Sequence, residues 1–434
     1  MKIIKNSAFY IILVSTVGYL LNLLLHRYLT HNLTPAAYGD FCIGLNVLMI
    51  VSTFLLLGTE ISAMRYIPLL EKENSSMDFI RWNFYFIKKI LLLFIVFLIF
   101  ASLFVLIFRN IEAIHTSFLM LIATPIAAIY ALIIVYLRSH NYTFISAFID
   151  NVLRYLLLIV TFFFLFGLAS IKENDFALVV VYMAVFFILT VFTAILYSQK
   201  SGIDLPFSLF FSKELSQFDE HREWKKSSIK YMLSNLIFLL FLYIDKIILD
   251  IVHEDEDIIG HYSLVVILIG LFSLISQSSG IFLSPNISKF IKDKVNFPAL
   301  QSLIYKANKS VFILFALLFL IFIFFGKAIL AHFGENGGYV VIYYGLIALA
   351  FSQILLEIGN LSMRFLLYGG YENYINKTLF ILLSILFVSG VILTYYFGIY
   401  GIIGAHITTS FLYMLAFAVK AKKEFEELKI LSIY

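Results

Sequence analysis

The sequence predicts an all-α integral membrane protein of about twelve transmembrane helices, set as two six-helix bundles related by a repeat. Three observations predict it. Of 434 residues, 62% are hydrophobic and 13% charged, and the mean hydropathy is +0.97, too apolar for a soluble domain. The apolar residues fall in runs long enough for helices to cross a bilayer core, not in the alternating ~10-residue segments of a β-barrel. The chain also repeats itself: the stretch from His26 to Phe41 is echoed by the stretch from Asp245 to Tyr262.

The apolar windows are 7–28, 41–64, 84–108, 116–137, 144–168, 176–197, 229–251, 260–283, 310–331, 339–363, 377–397 and 399–419. The first follows Lys2 and Lys5 but is longer than a signal h-region and lacks a small-residue cleavage site, so it reads as a retained span. Lys and Arg crowd the loops on the N-terminal side, whereas the opposite side keeps Arg27, Arg109, Lys172 and Lys327. That asymmetry places both termini in the cytoplasm. Pro125 is expected to kink the fourth span.

The longest polar connection, 198–229, divides a bundle of residues 1–197 from one of 230–419, with a cytoplasmic tail at 420–434. Phe207, Phe210, Phe211, Leu215 and Phe218 recur within the connection at helical spacing, which suits a short helix lying on the membrane surface. The tail reads as a solvated extension of the last helix. Gly39 pairs with Gly260 and Gly58 with Gly280, at an offset that grows slowly along the chain, as two diverged copies would give. Each copy has an even number of spans, so both enter the membrane in the same sense, about an axis along its normal. The function is then expected at the seam between the copies.

Several function classes are excluded. The single Cys42 rules out a disulfide framework or zinc cluster, and a net charge of +4 gives no footprint for nucleic acid. Gly326-Lys327-Ala328 lacks the rest of a phosphate loop, and no H-E-x-x-H or nucleophile elbow occurs. The chain is expected to be no enzyme and to need no cofactor.

Polar residues within the spans form stripes: Ser15, Gly18, Asn22 and His26; Asn46, Thr53 and Glu60; Ser273, Gln277, Gly280 and Ser284; Gln353, Glu357, Asn360 and Arg364. Such faces turn to a protein interior or a water-filled cavity. For a single Ser, Thr, Asn or Gln the ordinary role is bonding between helices. Ionisable residues are costlier, roughly 2.5–3.5 kcal/mol at a helix centre. They are Glu60, Asp150, Arg154, Asp245, Lys246 and Glu357. Asp150 and Arg154 can neutralise each other at i,i+4, and Lys246 and Asp250 are spaced likewise. Glu60 and Glu357 show no intrahelical partner and, with Asp150, are the candidates for ion coupling. Arg27 has two readings: it snorkels to the interface, or it faces a cavity and binds an anion.

The motifs Lys5-Asn6-Ser7, Arg27-Tyr28-Leu29 with Leu33-Thr34-Pro35-Ala36-Ala37-Tyr38-Gly39-Asp40-Phe41, and Asp245-Lys246 with Leu249 and Ile259-Gly260-His261-Tyr262 resemble, in order and spacing, those of polysaccharide transporters of the Wzx type, the O-antigen flippases. The resemblance covers essentially the whole chain. It implies the fold shared by MATE drug exporters and lipid II flippases, in the cell inner membrane. It further implies movement of a polyprenyl-diphosphate-linked oligosaccharide from the cytoplasmic to the periplasmic leaflet by alternating access, coupled to a proton or sodium ion. Arg27, Lys246 and, by its depth, Arg154 would meet the diphosphate; Asn22, Asn46, Gln277, Gln353 and Asn360 would line a polar cavity for the sugars. A polymerase and glycosyltransferases would act alongside, and membrane lipid surrounds the whole. The alternative is a MATE-like cation-coupled exporter of drugs or metabolites. A membrane-embedded glycan polymerase is disfavoured by the short outward loops.

Overall fold

The computed structural model describes residues 2–70, 76–108, 116–168, 175–203, 205, 222–253, 256–293 and 297–432. The expected surface helix at 207–218, Arg109, Lys172 and part of the acidic run Glu254–Asp257 lie outside the described residues. The elements in order are α1 (Lys2–Asn32), α2 (Pro35–Leu55), α3 (Thr59–Leu70), α4 (Ser76–Phe108), α5 (Thr116–Met120), α6 (Thr124–Ser139), α7 (Thr143–Phe148), α8 (Arg154–Leu168), α9 (Asp175–Ser201), α10 (Arg222–Val252), α11 (Glu256–Asp293), α12 (Phe297–Ala331), α13 (Tyr343–Tyr368), α14 (Glu372–Phe397) and α15 (Ile399–Glu424). A 3₁₀ turn at Leu121–Ala123 joins α5 to α6, a π-helical segment at Ile149–Leu153 joins α7 to α8, and a 3₁₀ helix at Glu335–Ile342 precedes α13. The fold is all-α.

Among the described residues, eleven helical stretches are long and apolar enough to cross a membrane. The remaining expected span, 229–251, lies in α10, a helix of 31 residues with Lys225, Lys226 and Lys230 near one end and Asp245, Lys246 and Asp250 near the other. Side chains follow the logic of lipid as solvent: α4 turns Leu93, Val96, Phe97 and Phe100 outward while burying Phe84, Ile87 and Leu91.

Four expected continuous spans are not single α-helices: 144–168 contains the π-helical segment Ile149–Leu153, 339–363 begins in the 3₁₀ helix, and two others are broken. The window 41–64 becomes α2 and α3, broken where Leu57 and Gly58 take φ of 52° and 75°. Leu57 bears the strain of a left-handed conformation, and Gly58 is glycine for a second reason. A Cβ there would stand 2.1 Å from the Ser228 carbonyl oxygen of α10. The break makes Glu60 a first-turn residue of α3, where the helix dipole favours a negative charge. In the fourth window Pro125 lies at the start of α6, just after the 3₁₀ turn, so it begins a helix instead of kinking one.

By packing, the chain forms two compact units, one of residues 1–39 and 240–434, the other of residues 40–239. The repeat groups the first helix with the first half, whereas packing groups α1 with the later helices. Contacts in the first unit explain this: the Tyr19 hydroxyl donates to the Ile267 carbonyl of α11, and a Cβ on Gly39 would meet the Gly260 amide nitrogen at 2.7 Å.

The tail departs from a solvated extension. After α15 the chain folds back on α12, burying Leu428 and Ile430. Gln301 accepts from the Lys429 amide at 2.9 Å and donates to its carbonyl at 3.2 Å, and the buried Asn308 donates to the Ile430 carbonyl at 2.7 Å. Two apolar residues in the tail, Leu428 and Ile430, are the signal for this docking.

Candidate functional site

In the first unit, helical spacing puts Gln353, Glu357, Asn360 and Arg364 on one face of α13. Glu357 is buried and its carboxylate is ringed by donors. Gln353 donates to Oε1 at 2.9 Å, Ser273 of α11 donates to the same oxygen at 2.5 Å, and Asn360 donates to Oε2 at 3.1 Å. Tyr413 of α15 extends the network, donating to Asn360 Oδ1 at 2.5 Å. The expectation that Glu357 lacks intrahelical partners is therefore corrected: Gln353 and Asn360 flank it one turn away on either side. Buried carboxylates need this many donors because lipid and core supply none. One turn on, Arg364 donates to Ser276 at 3.2 Å and Ser279 at 3.4 Å, and its guanidinium lies against Gly280, where a Cβ would stand 2.5 Å away. His406 bonds Ser352 at 2.8 Å, a helix-to-helix contact of the ordinary kind.

Deeper in α10, Asp245 and Lys246 are 2% and 4% exposed. The Tyr262 hydroxyl donates to Asp245 Oδ2 at 2.5 Å, and the Lys246 amide donates to Oδ1 at 2.8 Å. The Lys246 ammonium makes no ion pair among the described residues, so the expected pairing with Asp250 is not made. The buried His26 of α1 has its Nδ1 3.0 Å from the Tyr38 hydroxyl. Arg27 is exposed and Asn22 half-buried on α1, and Gln277 is exposed on α11. None of these three side chains has a hydrogen-bond partner among the described residues. An apolar cavity of about 630 Å³ opens between α1, α11 and α12, lined by residues including Ile12, Leu274, Leu283, Leu303 and Val311, with Lys306 among them.

In the second unit the Asp150–Arg154 pair forms at 3.3 Å, and Arg138 of α6 joins it at 3.1 Å. Tyr130 donates to Asp150 at 3.4 Å, and the Arg154 guanidinium lies 4.9 Å from the Tyr155 ring centroid. Arg154 Nε is buried without an acceptor. Elsewhere in this unit Glu60 accepts from Asn235 at 3.3 Å through Oε1, while its Oε2 is buried and unpartnered; Asn46 is buried with an unpartnered Nδ2. Among the described residues no group of His, Cys, Asp and Glu could hold a metal ion.

Residues 4–291 match the family described as "Polysaccharide biosynthesis protein". The chain belongs to that family. No curated protein matches it closely enough to count. Solved structures similar to it are the lipid II flippase MurJ in an inward closed conformation, at 15% identity and TM-score 0.69 over 96% of this chain and 89% of that one. An inward-facing multidrug resistance MATE transporter of the MOP superfamily gives 13% and 0.73 over 98% and 99%. A MOP superfamily transporter from Pyrococcus furiosus, described as having a binding pocket of reversed polarity, gives 14% and 0.62 over 98% and 96%. These likenesses establish a MATE-like membrane fold.

In this polysaccharide biosynthesis protein the family motifs are largely made of packing. Asp257 Oδ1 accepts from the Ala36 amide at 3.0 Å and so caps the start of α2 from the start of α11. Tyr38 is fully buried and packs edge-on against Tyr339. Asp245 and Tyr262, the ends of the second motif, bond to each other. One residue that sequence reasoning passed over belongs with the charged groups, Arg138, which joins Asp150; Arg364, expected on the polar stripe of α13, meets serines of α11. For Arg138 no signal was available, because its partner lies across the α6–α7 turn.

Proposed function

We propose that this protein is a flippase that carries a polyprenyl-diphosphate-linked oligosaccharide from the cytoplasmic to the outer leaflet of the cell inner membrane, with both termini cytoplasmic. It works by alternating access in a polysaccharide assembly route, beside glycosyltransferases and a polymerase. The observation that carries this reading is Lys246, a buried ammonium with no ion pair among the described residues, in a chain of the polysaccharide biosynthesis family. An unpaired buried cation is costly and calls for an anionic ligand. Lys246, Arg154 and the exposed Arg27 are the groups for the diphosphate; Asn22, Gln277, Gln353, Asn360 and Asn46 offer amides to sugar hydroxyls. The apolar cavity beside α1 falls in the size range of ligand pockets and would take part of an isoprenoid chain.

Coupling to a proton or sodium ion falls to Glu60 and Glu357. Glu60 lies in the first turn of α3, beside the helix break, and keeps one unpartnered oxygen that can take a proton or a sodium ion. These two carboxylates are also what would favour the second reading, a cation-coupled drug exporter. Deletion of the gene separates the two. The flippase reading expects loss of surface polysaccharide, accumulation of the lipid-linked oligosaccharide on the cytoplasmic leaflet and unchanged drug susceptibility. Intact surface polysaccharide with altered drug susceptibility is the exporter's result.

A further inference from the structure

We propose that Asp150 is an internal stand-in for the substrate's phosphate, holding Arg138 and Arg154 in the geometry of an anion clamp until the diphosphate displaces it. This rests on the polyprenyl-diphosphate reading above. The carboxylate bridges two guanidiniums, Arg138 at 3.1 Å through Oδ2 and Arg154 at 3.3 Å through Oδ1, with the Tyr130 hydroxyl as a third donor at 3.4 Å. One negative charge stands against two positive ones, so the cluster keeps a net positive charge when empty. A guanidinium fork fits carboxylate and phosphate oxygens alike, and a diphosphate offers more of both charge and acceptors.

Three features mark the cluster as more than a structural ion pair. Arg154 Nε is buried with no acceptor, a donor that a phosphate oxygen would satisfy. Asp150 lies in the π-helical segment Ile149–Leu153, and such interruptions of the regular hydrogen-bond ladder recur at functional positions. The three side chains are 37%, 24% and 21% exposed for Arg138, Asp150 and Arg154, so a ligand can reach them. The tether matters in both directions. With Asp150 in place the arginines are not left as uncompensated cations in the empty protein, and the same carboxylate competes for them as substrate leaves. Asp150 is thereby a release element and not an ion-coupling group.

The test is direct binding of farnesyl diphosphate, with farnesol as the uncharged control, to the full chain in lipid nanodiscs. Asp150→Asn should bind farnesyl diphosphate about tenfold more tightly, which is about 1.4 kcal/mol. Arg138→Gln and Arg154→Gln should each bind it about tenfold more weakly, and farnesol binding should not move. Cells carrying Asp150→Asn should export less glycan at normal protein levels. Equal or weaker diphosphate binding by Asp150→Asn overturns the proposal, as does tightening that extends to farnesol. If Asp150→Asn does not accumulate, Arg138→Lys decides, because it keeps the charge and loses the fork: severalfold weaker binding supports the clamp and unchanged binding overturns it. The clamp and the function fail separately. Glycan export that persists in the deletion strain removes the function reading and leaves the binding result standing; export lost on deletion with no effect of Asp150→Asn removes only the clamp.

Discussion

Gly260→Val is expected to abolish accumulation of folded protein. A Cβ at this position would lie 2.0 Å from the Pro35 carbonyl oxygen and 2.7 Å from its carbon. Overpacking costs ~1–3 kcal/mol where neighbouring side chains can yield. Here the obstruction is backbone at the first turn of α2, whose capping by Asp257 fixes it in place, so the cost should exceed that range. Gly167→Ala is the matched control, since a Cβ there meets nothing within 4 Å, and it should stay within about 0.5 kcal/mol of wild type. Size-exclusion profiles of fluorescently tagged protein from solubilised membranes measure both. A wild-type peak for Gly260→Val would show that α2 and α11 do not approach as closely as the structure has them.

Lys246→Met is expected to abolish glycan export while leaving the protein at least as stable as wild type. The two effects have opposite signs for a physical reason. The ammonium is buried and unpaired by any acid among the described residues, so removing it relieves a desolvation cost of roughly 2.5–3.5 kcal/mol at full depth. Methionine keeps most of the side chain's volume. A lysine kept only for structure would show the reverse, lower stability with export intact. Thermal melting in detergent and surface glycan in a complemented deletion strain read the two effects separately. Normal export by Lys246→Met removes the role given to this residue.

Much of the architecture was legible because bilayer thickness and helix pitch translate directly into apolar runs, and eight of the twelve expected windows lie inside a single long α-helix. The stripe Gln353, Glu357, Asn360 was legible in the same way, through helical periodicity. What periodicity cannot show is where a helix stops being regular. The break at Leu57 and Gly58 needs the approach of Ser228 from a helix far along the chain, and the π-helical turn around Asp150 leaves no mark in the apolar pattern. Nor does sequence show which helices pack together. The glycines that marked the repeat, Gly39 and Gly260, turn out to lie against each other, which draws α1 toward the later helices. Arg138 was hidden for a related reason: its partner Asp150 is across a turn, beyond any i,i+4 rule.

The most direct measurement of the central claim uses purified protein in proteoliposomes that hold a fluorescent polyprenyl-diphosphate oligosaccharide in both leaflets, with a membrane-impermeant quencher outside. A flippase of this substrate predicts that quenching proceeds past the outer-leaflet fraction in wild-type vesicles and stops at that fraction with Lys246→Met. Quenching that stops at the outer-leaflet fraction for the wild-type protein, in vesicles where the same preparation takes up a cationic drug against an ion gradient, would contradict the account.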